Sequence, residues 1–161
     1  VNSEKLTLHL LNRAKPLMAK LTNLGPFALQ KLVLEKVLNQ VFAEALEDEE
    51  LAFLEGRFLT IAITDLQLRW RLTCQTGALR VLPPGGHSDA AISGEVREFV
   101  LLASRREDPD TLFFQRRLSI EGDTDLGLEV KNLIDSVDLS TLPTLAQRAL
   151  NHAGQLASAA A

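Results

Sequence analysis

Glu121, Asp123 and Asp125 sit where an alternating apolar run passes into a helical one, and they are the best paired-carboxylate candidates in the chain. Two carboxyl groups pushed to different pKa values could share general acid–base work. Helix capping is the plainer account. Orphan amides at a helix N-terminus favour a nearby carboxylate, so Asp123 or Asp125 is the expected N-cap of the helix that follows. A calcium loop counted from Asp123 would need Gly at its sixth position and Glu at its twelfth. The chain has Leu128 and Ile134 there.

The remaining reactive side chains are scattered. His9, His87 and His152 have no second ligand three or four residues away, the spacing that would turn two side chains toward one metal. The acidic run Glu47 to Glu50 reads as a solvated connection, because adjacent carboxylates on a turn do not converge. Cys74 alternates with Leu72 and Trp70, which makes it a small buried hydrophobe; as the single cysteine it excludes an intrachain disulfide and cannot build a zinc site. Pro83 to Ser88 is Gly-rich, but no helix follows to lend phosphate its dipole. No catalytic residue, metal or cofactor is expected. Arg116 shares a strand face with Leu118 and Ile120, while Arg117 points the other way. An arginine at the rim of an apolar face can hold a phosphate or carbonyl headgroup. A salt bridge to Asp108 or Asp110 is the alternative.

The elements that carry these residues are read from periodicity. Leu10, Ala14, Leu17, Leu21 and Leu24 mark an amphipathic helix, and Gly25-Pro26 ends it and starts another to about Glu47. That second helix is apolar over more than one face. From Arg57 the period becomes two, giving half-buried strands through Cys74, a hairpin turn at Gln75-Thr76-Gly77, and short strands near 78–82 and 90–94 in what reads as a meander. Helical spacing returns at Val96 to Ala103, Asp108-Pro109-Asp110 breaks the chain, and Arg116 to Ile120 forms a last strand. Two helices close the chain, marked by Leu126, Val130, Leu133, Ile134 and Val137 and then by Leu142, Leu145, Ala149, Ala153 and Leu156. The class is α+β, with helices over one face of a mainly antiparallel sheet.

Bulk properties narrow the function. The 161 residues suit one domain. A net charge of −4 and a pI near 5.4 argue against nucleic acid as a partner. The charge is uneven: residues 1–43 hold six Lys or Arg against Glu4 and Glu35, a surplus of four, which leaves −8 for the rest. A basic N-terminal third points toward an anionic membrane surface or a partner protein, or is an ordinary solvated helix face. No apolar run approaches the roughly 20 residues that span a bilayer, and no signal-peptide pattern opens the chain, so a cytoplasmic, peripherally membrane-associated protein is expected.

The segment EDPDTLFFQRRLSIEGDTDLGLEVKNLIDSVDL (Glu107 to Leu139) resembles the closing strand and helix of the sterol-carrier-protein type 2 (SCP2) fold. PFALQKLVLEKVLNQVFAEAL (Pro26 to Leu46), followed by ELAFLEGRFLTIAITDLQLRW (Glu50 to Trp70), is similar to the same superfamily in the same order, most of all to its UbiT-like accessory factors of ubiquinone biosynthesis. The resemblance spans roughly Leu24 to Leu139. It implies a five-stranded sheet covered by helices around an apolar lipid tunnel and no chemistry on the cargo. The cargo would be a prenyl quinone or phospholipid, and peptidase U32-type hydroxylases would be possible partners. The alternative is a protein scaffold that recruits biosynthetic enzymes at the membrane surface.

The family has no short ligand motif, so the expected cavity lining is inferred from faces. Helix 26–47 contributes Phe27, Leu34, Leu38, Val41 and Phe42, and the strands contribute Trp70 and Leu118. Phe99, Leu102, Phe113 and Phe114 come from the segments between, and Leu128 and Leu133 from the helix after Asp125. Arg116 is the headgroup candidate; Arg13, Lys15 and Lys20 are the membrane-docking candidates. The expected division is a basic helical segment over 1–24, a sterol-carrier-type domain over 25–139, and a C-terminal helix and tail over 140–161.

Overall fold

The computed structural model describes residues 26–160. The expected helix over 1–24 and its Arg13, Lys15 and Lys20 lie outside the described residues. Pro26 starts α1 (Phe27–Val41) from extended backbone, and its carbonyl accepts from the Leu29 and Gln30 amides. The helix expected to reach Glu47 breaks at Phe42, whose backbone leaves helical values at φ −100 and ψ 17, and α2 (Ala43–Glu47) follows. A short 3₁₀ turn (Ala52–Leu54) leads into the strands β1 (Leu59–Ile63), β2 (Leu68–Gln75), β3 (Ala78–Leu82) and β4 (Ala90–Gly94). Then come α3 (Val96–Ala103), α4 (Pro109–Phe114), β5 (Leu118–Gly122) and α5 (Thr124–Ser136). A second 3₁₀ turn (Leu139–Thr141) precedes α6 (Thr144–Ala159).

The period-two pattern produces a sheet with one apolar face. Leu59, Ile61 and Ile63 register with Leu72, Trp70 and Leu68, and the same face continues through Val81, Leu79, Ile92 and Ile120. Thr60, Arg69, Arg71, Arg80 and Ser119 alternate onto the other side, as antiparallel sheets with one solvated face require. The described helices cover the apolar face.

The expected meander is corrected by the strand order β3-β2-β1-β4-β5, in which β4 lies beside β1 and parallel to it. The chain leaving β3 therefore has to cross β2 and β1. It does so over the polar face, where Arg71 donates to the carbonyls of Pro83 and His87 and Thr60 donates to Ser88 Oγ. A Cβ on Gly86 would come within 2.3 Å of the Arg71 guanidinium, which shows how closely the loop lies on that side chain. The last strand also starts later than expected. Arg116 sits in the left-handed region (φ 57) between α4 and β5, and the ladder begins at Leu118.

Two ties hold helices to this sheet. β3 is an edge strand whose outward amides and carbonyls need partners. Side chains of α1 supply them: Glu35 accepts from the Val81 amide at 2.9 Å, Lys31 donates to the Val81 carbonyl, and Asn39 bonds both the amide and the carbonyl of Leu79. At the other side, Asp123 caps α5 by accepting from the Asp125 and Leu126 amides. Gly122 precedes it at φ 94, where a Cβ would lie 2.4 Å from the Asp89 carbonyl oxygen, so only glycine turns the chain here.

Burial works against ionisation of Glu35, but the Lys31 ammonium, the Val81 amide and Arg80 together outweigh it and hold this carboxyl below the usual glutamate range. A carboxyl with a lowered folded pKa contributes stability above its unfolded value, about 4.3, and that contribution is lost as pH falls through the folded value. Amide exchange in α1 is therefore expected to speed up, relative to β1, as pH drops below about 4. Glu35→Gln should remove that extra acid sensitivity. Identical pH profiles in the two proteins would contradict the tie.

Candidate functional site

α1 carries no buried residue although most of its length is apolar. The reason is a cavity of about 750 Å³ between this helix and the apolar sheet face. Leu34, Leu38 and Val41 of α1 and Phe42 form one wall, and Ile61, Ile63, Trp70 and Leu72 form the floor. Phe99, Leu102 and Ala103 come from α3, Ile134 and Val137 from the end of α5, and Leu142, Ala146, Ala149 and Leu150 from α6 and the turn before it. Among the described lining residues only Gln40 and Arg105, both exposed, carry a hydrogen-bonding side chain, apart from the Trp70 indole. That indole N–H is taken, since it donates to Gln30 Oε1 at 2.9 Å.

Of the residues expected to line a cavity, Leu34, Leu38, Val41, Phe42, Trp70, Phe99 and Leu102 are brought together here. The others are not. Leu118 is buried in a separate core with Leu102 and Leu112, and Leu133 packs with Leu126 and Val130. Phe113 is half-buried against both cores, and Phe27 is half-buried at the start of α1. Phe114, 90% exposed, and Leu128, 51% exposed, face outward. A six-residue helix turns Phe113 inward and Phe114 outward. Arg116 is exposed and stands outside the cavity; the arginine that reaches it is Arg105.

The α6 wall is what the sequence reading missed. Leu142 and Ala149 were on the expected stripe, but Leu145 is 80% exposed, and Ala146 and Leu150 join the wall unforeseen. Two features seat this helix. Gly154 lies so close to α3 that a Cβ would meet Ser104 Oγ at 2.4 Å, and Arg97 donates to the Ala157 carbonyl at 2.8 Å. Arg97 also pairs with Glu98, which is 6% exposed and accepts from Arg117, and Arg117 in turn reaches Glu107. Mutual pairing is what makes these buried charges tolerable.

The reactive side chains reviewed above are occupied elsewhere. Asp123 caps α5 and pairs with Arg57 at 3.3 Å, and Glu121 and Asp125 are exposed. Asp108 caps α4, and Asp110 pairs with Lys131. His87 bonds Asp89 in the crossing loop, His152 is exposed on α6, and His9 lies outside the described residues. Cys74 is in the core, where burial, and secondarily Glu55, pushes its thiol pKa up. Among the described residues no group of three or more His, Cys, Asp or Glu could hold a metal, and no helix is long and apolar enough to cross a membrane.

The arrangement is one that holds an apolar guest. Ligand cavities typically run to roughly 300–1,000 Å³ with few polar groups. Each methylene moved into such a space gains about 0.8 kcal/mol, so ten offer roughly 8 kcal/mol before ordering costs.

Comparison with known proteins agrees with this geometry. Residues 34–135 match the SCP-2 sterol transfer family. The chain is 44% identical over 140 residues to the ubiquinone biosynthesis accessory factor UbiT of Escherichia coli (strain K12), covering 87% of this chain and 80% of that protein. UbiT of Escherichia coli O157:H7 matches equally. Among solved structures, an SCP2 protein of ubiquinone synthesis, UbiJ, superposes with a TM-score of 0.56 at 19% identity, covering 68% of this chain and 97% of that one, which supports the shared fold.

Proposed function

Since the chain belongs to the SCP-2 sterol transfer family, we propose that it is a non-catalytic accessory factor of ubiquinone biosynthesis that binds a prenylated quinone precursor or a phospholipid and presents it to partner enzymes. The observation that carries this reading is the half-open apolar cavity of about 750 Å³ between α1, α3, α6 and the sheet. The 44% identity to UbiT supplies the pathway. Hydroxylases of the peptidase U32 type are the proposed recipients. Oxygen-independent synthesis is the proposed setting.

Cargo of this kind has to come from a bilayer, so we place the protein in the cytoplasm, docked peripherally on anionic lipid. Leu29, Leu32 and Val33 project from α1 into solvent, and Val37, 48% exposed, belongs both to that outer surface and to the cavity wall. An apolar helix face continuous with a cavity mouth gives a lipid tail a path that never crosses water. Arg13, Lys15 and Lys20 would add attraction to anionic headgroups, at about 1 kcal/mol per basic residue near the surface.

One experiment tests both parts. Purified protein is incubated with liposomes carrying phosphatidylglycerol and a prenylated phenol, refloated, and the unfloated fraction is extracted for mass spectrometry. The expected result is co-flotation that weakens when Arg13, Lys15 and Lys20 become Gln, together with lipid in the extracted protein. Protein that never floats removes the docking proposal. Protein that comes away without lipid removes the carrier proposal.

A further inference from the structure

We infer that residues 16–24 fold back antiparallel along α1 and cover its outer apolar stripe when the protein is free in solution, and that an anionic bilayer competes with them for that stripe. The first step stands whether or not the cavity holds lipid. Only the competition rests on the membrane-docking reading above.

α1 has two faces that avoid water. Leu34, Leu38 and Val41 line the cavity, and Lys31, Glu35 and Asn39 hold the helix to the β3 edge. Leu29, Leu32, Val33 and Val37 recur at helical spacing toward the other side, and each is between 48% and 66% exposed. A helix that is apolar nearly all round is normally covered on both sides, and a contiguous exposed apolar stripe marks a place where something docks.

The chain supplies an occupant of matching length. Leu17, Met18, Leu21 and Leu24 share one side of a helical wheel, Ala19, Lys20 and Asn23 fall on the other, and Pro16 suits a first helical turn. As a helix the run from Leu17 to Leu24 rises about 10 Å, and the stripe from Leu29 to Val37 about 12 Å. Only Gly25 and Pro26 separate Leu24 from Phe27, and Pro26 has extended backbone (φ −62, ψ 136), so the chain does not enter α1 as the continuation of a straight helix. A connection this short joins antiparallel neighbours, and its three Cα steps reach about 11 Å, enough for helix axes about 8–10 Å apart. Leu24 then lies beside Leu29, Leu21 beside Leu32 and Val33, and Leu17 beside Lys36 and Val37. The same course brings Arg13 and Lys15 level with the end of α1, where the helix dipole is negative and Glu44, Glu47 and Asp48 are exposed just beyond it. Opposite charges therefore favour this direction.

Disulfide trapping in dilute protein reads the arrangement directly. Cys74 can stay, because burial pushes its thiol pKa up and keeps it slow to react. Leu17→Cys with Lys36→Cys is expected to close within one chain about tenfold faster than Leu17→Cys with Leu29→Cys, since only the first pair comes within bridging distance. An undocked segment gives the reverse order, because the loop from 17 to 29 is the shorter and closes more readily. Leu29 and Lys36 are exposed, so neither replacement puts the fold at stake. Adding Leu21→Asp should slow the fast pair about tenfold, the scale of removing one leucine from an apolar contact. Equal or reversed rates for the two pairs, covalent dimers in place of the intrachain bridge, or no effect of Leu21→Asp would each overturn the docking of the segment. On phosphatidylglycerol liposomes the floated protein should trap the 17–36 pair several-fold more slowly, and floated protein that traps as fast as free protein overturns the competition. Protein that never floats overturns the membrane-docking reading instead.

Discussion

Replacing Ala146 and Ala149 together by Phe is expected to strip the protein of bound lipid while leaving it folded. Both alanines face the cavity from α6 and neither is buried, so the added rings enter open space and displace no core neighbour. The usual cost of overpacking does not arise. If the rings exclude even three methylenes of a lipid tail, binding loses about 2.4 kcal/mol, roughly a fiftyfold drop in affinity. Mass spectrometry of extracted protein should show the loss, and the melting temperature should hold within a few degrees. Unchanged lipid content in the double variant would mean that the cavity is not where lipid resides. A scaffold whose partners bind its outer helices would keep them in this variant, so partner capture measured alongside separates a carrier from a scaffold.

Glu98→Ala should destabilise the fold by about 3 kcal/mol. The carboxylate is buried at 6% exposure and accepts from Arg97 on one side and Arg117 on the other, at 3.0 and 2.7 Å. Removing one member of a buried ion network costs about 3–5 kcal/mol because it leaves charge unpaired. The lower end applies here, since both arginines keep some contact with water and Arg117 retains Glu107. For a chain of this length that is a fall in Tm of about 10 °C. The effect should reach the cavity as well, because Arg97 anchors the Ala157 carbonyl at the end of α6. Amides of α6 are expected to exchange faster than those of β1 in the variant. A Tm within two degrees of the parent would show that the network contributes little.

Both predictions depend on α6, the element least legible in the sequence. Its stripe of Leu142, Leu145, Ala149, Ala153 and Leu156 identified a helix and placed Leu142 and Ala149 correctly at the cavity, but it put Leu145 inward, where the structure exposes it, and missed Ala146 and Leu150. What fixes its rotation is the contact of Gly154 with Ser104, and close approach to a glycine leaves no periodic signal. Arg105 was equally silent. An arginine just after an apolar helix reads as a solvated end until the fold brings α5 beside it and its guanidinium meets the carbonyls of Ile134 and Val137. Arg116 looked better placed only because a strand was expected to start two residues before it does.

Other features were legible for good physical reasons. The alternation from Leu59 to Cys74 needed no partner to reveal an apolar face, since successive side chains of a strand point to opposite sides. Asp123 was readable as a cap because the first amides of any helix lack partners. The greasiness of α1 was visible too, although its outer apolar residues Leu29, Leu32 and Val33 meet solvent rather than a second apolar partner among the described residues.

The sequence by itself thus determined most of the described helices and strands and the α+β class through local periodicity, while the family came from the resemblance of whole segments. The tertiary structure decided that β4 crosses to pair with β1, that α6 closes a wall, and that Leu38 and Trp70 face open volume while Leu118 and Leu133 are packed solid. The reason is that hydrophobicity specifies which side of an element avoids water, whereas a cavity exists only where the distance between elements exceeds what their side chains fill, and that distance is set by residues far apart in the chain.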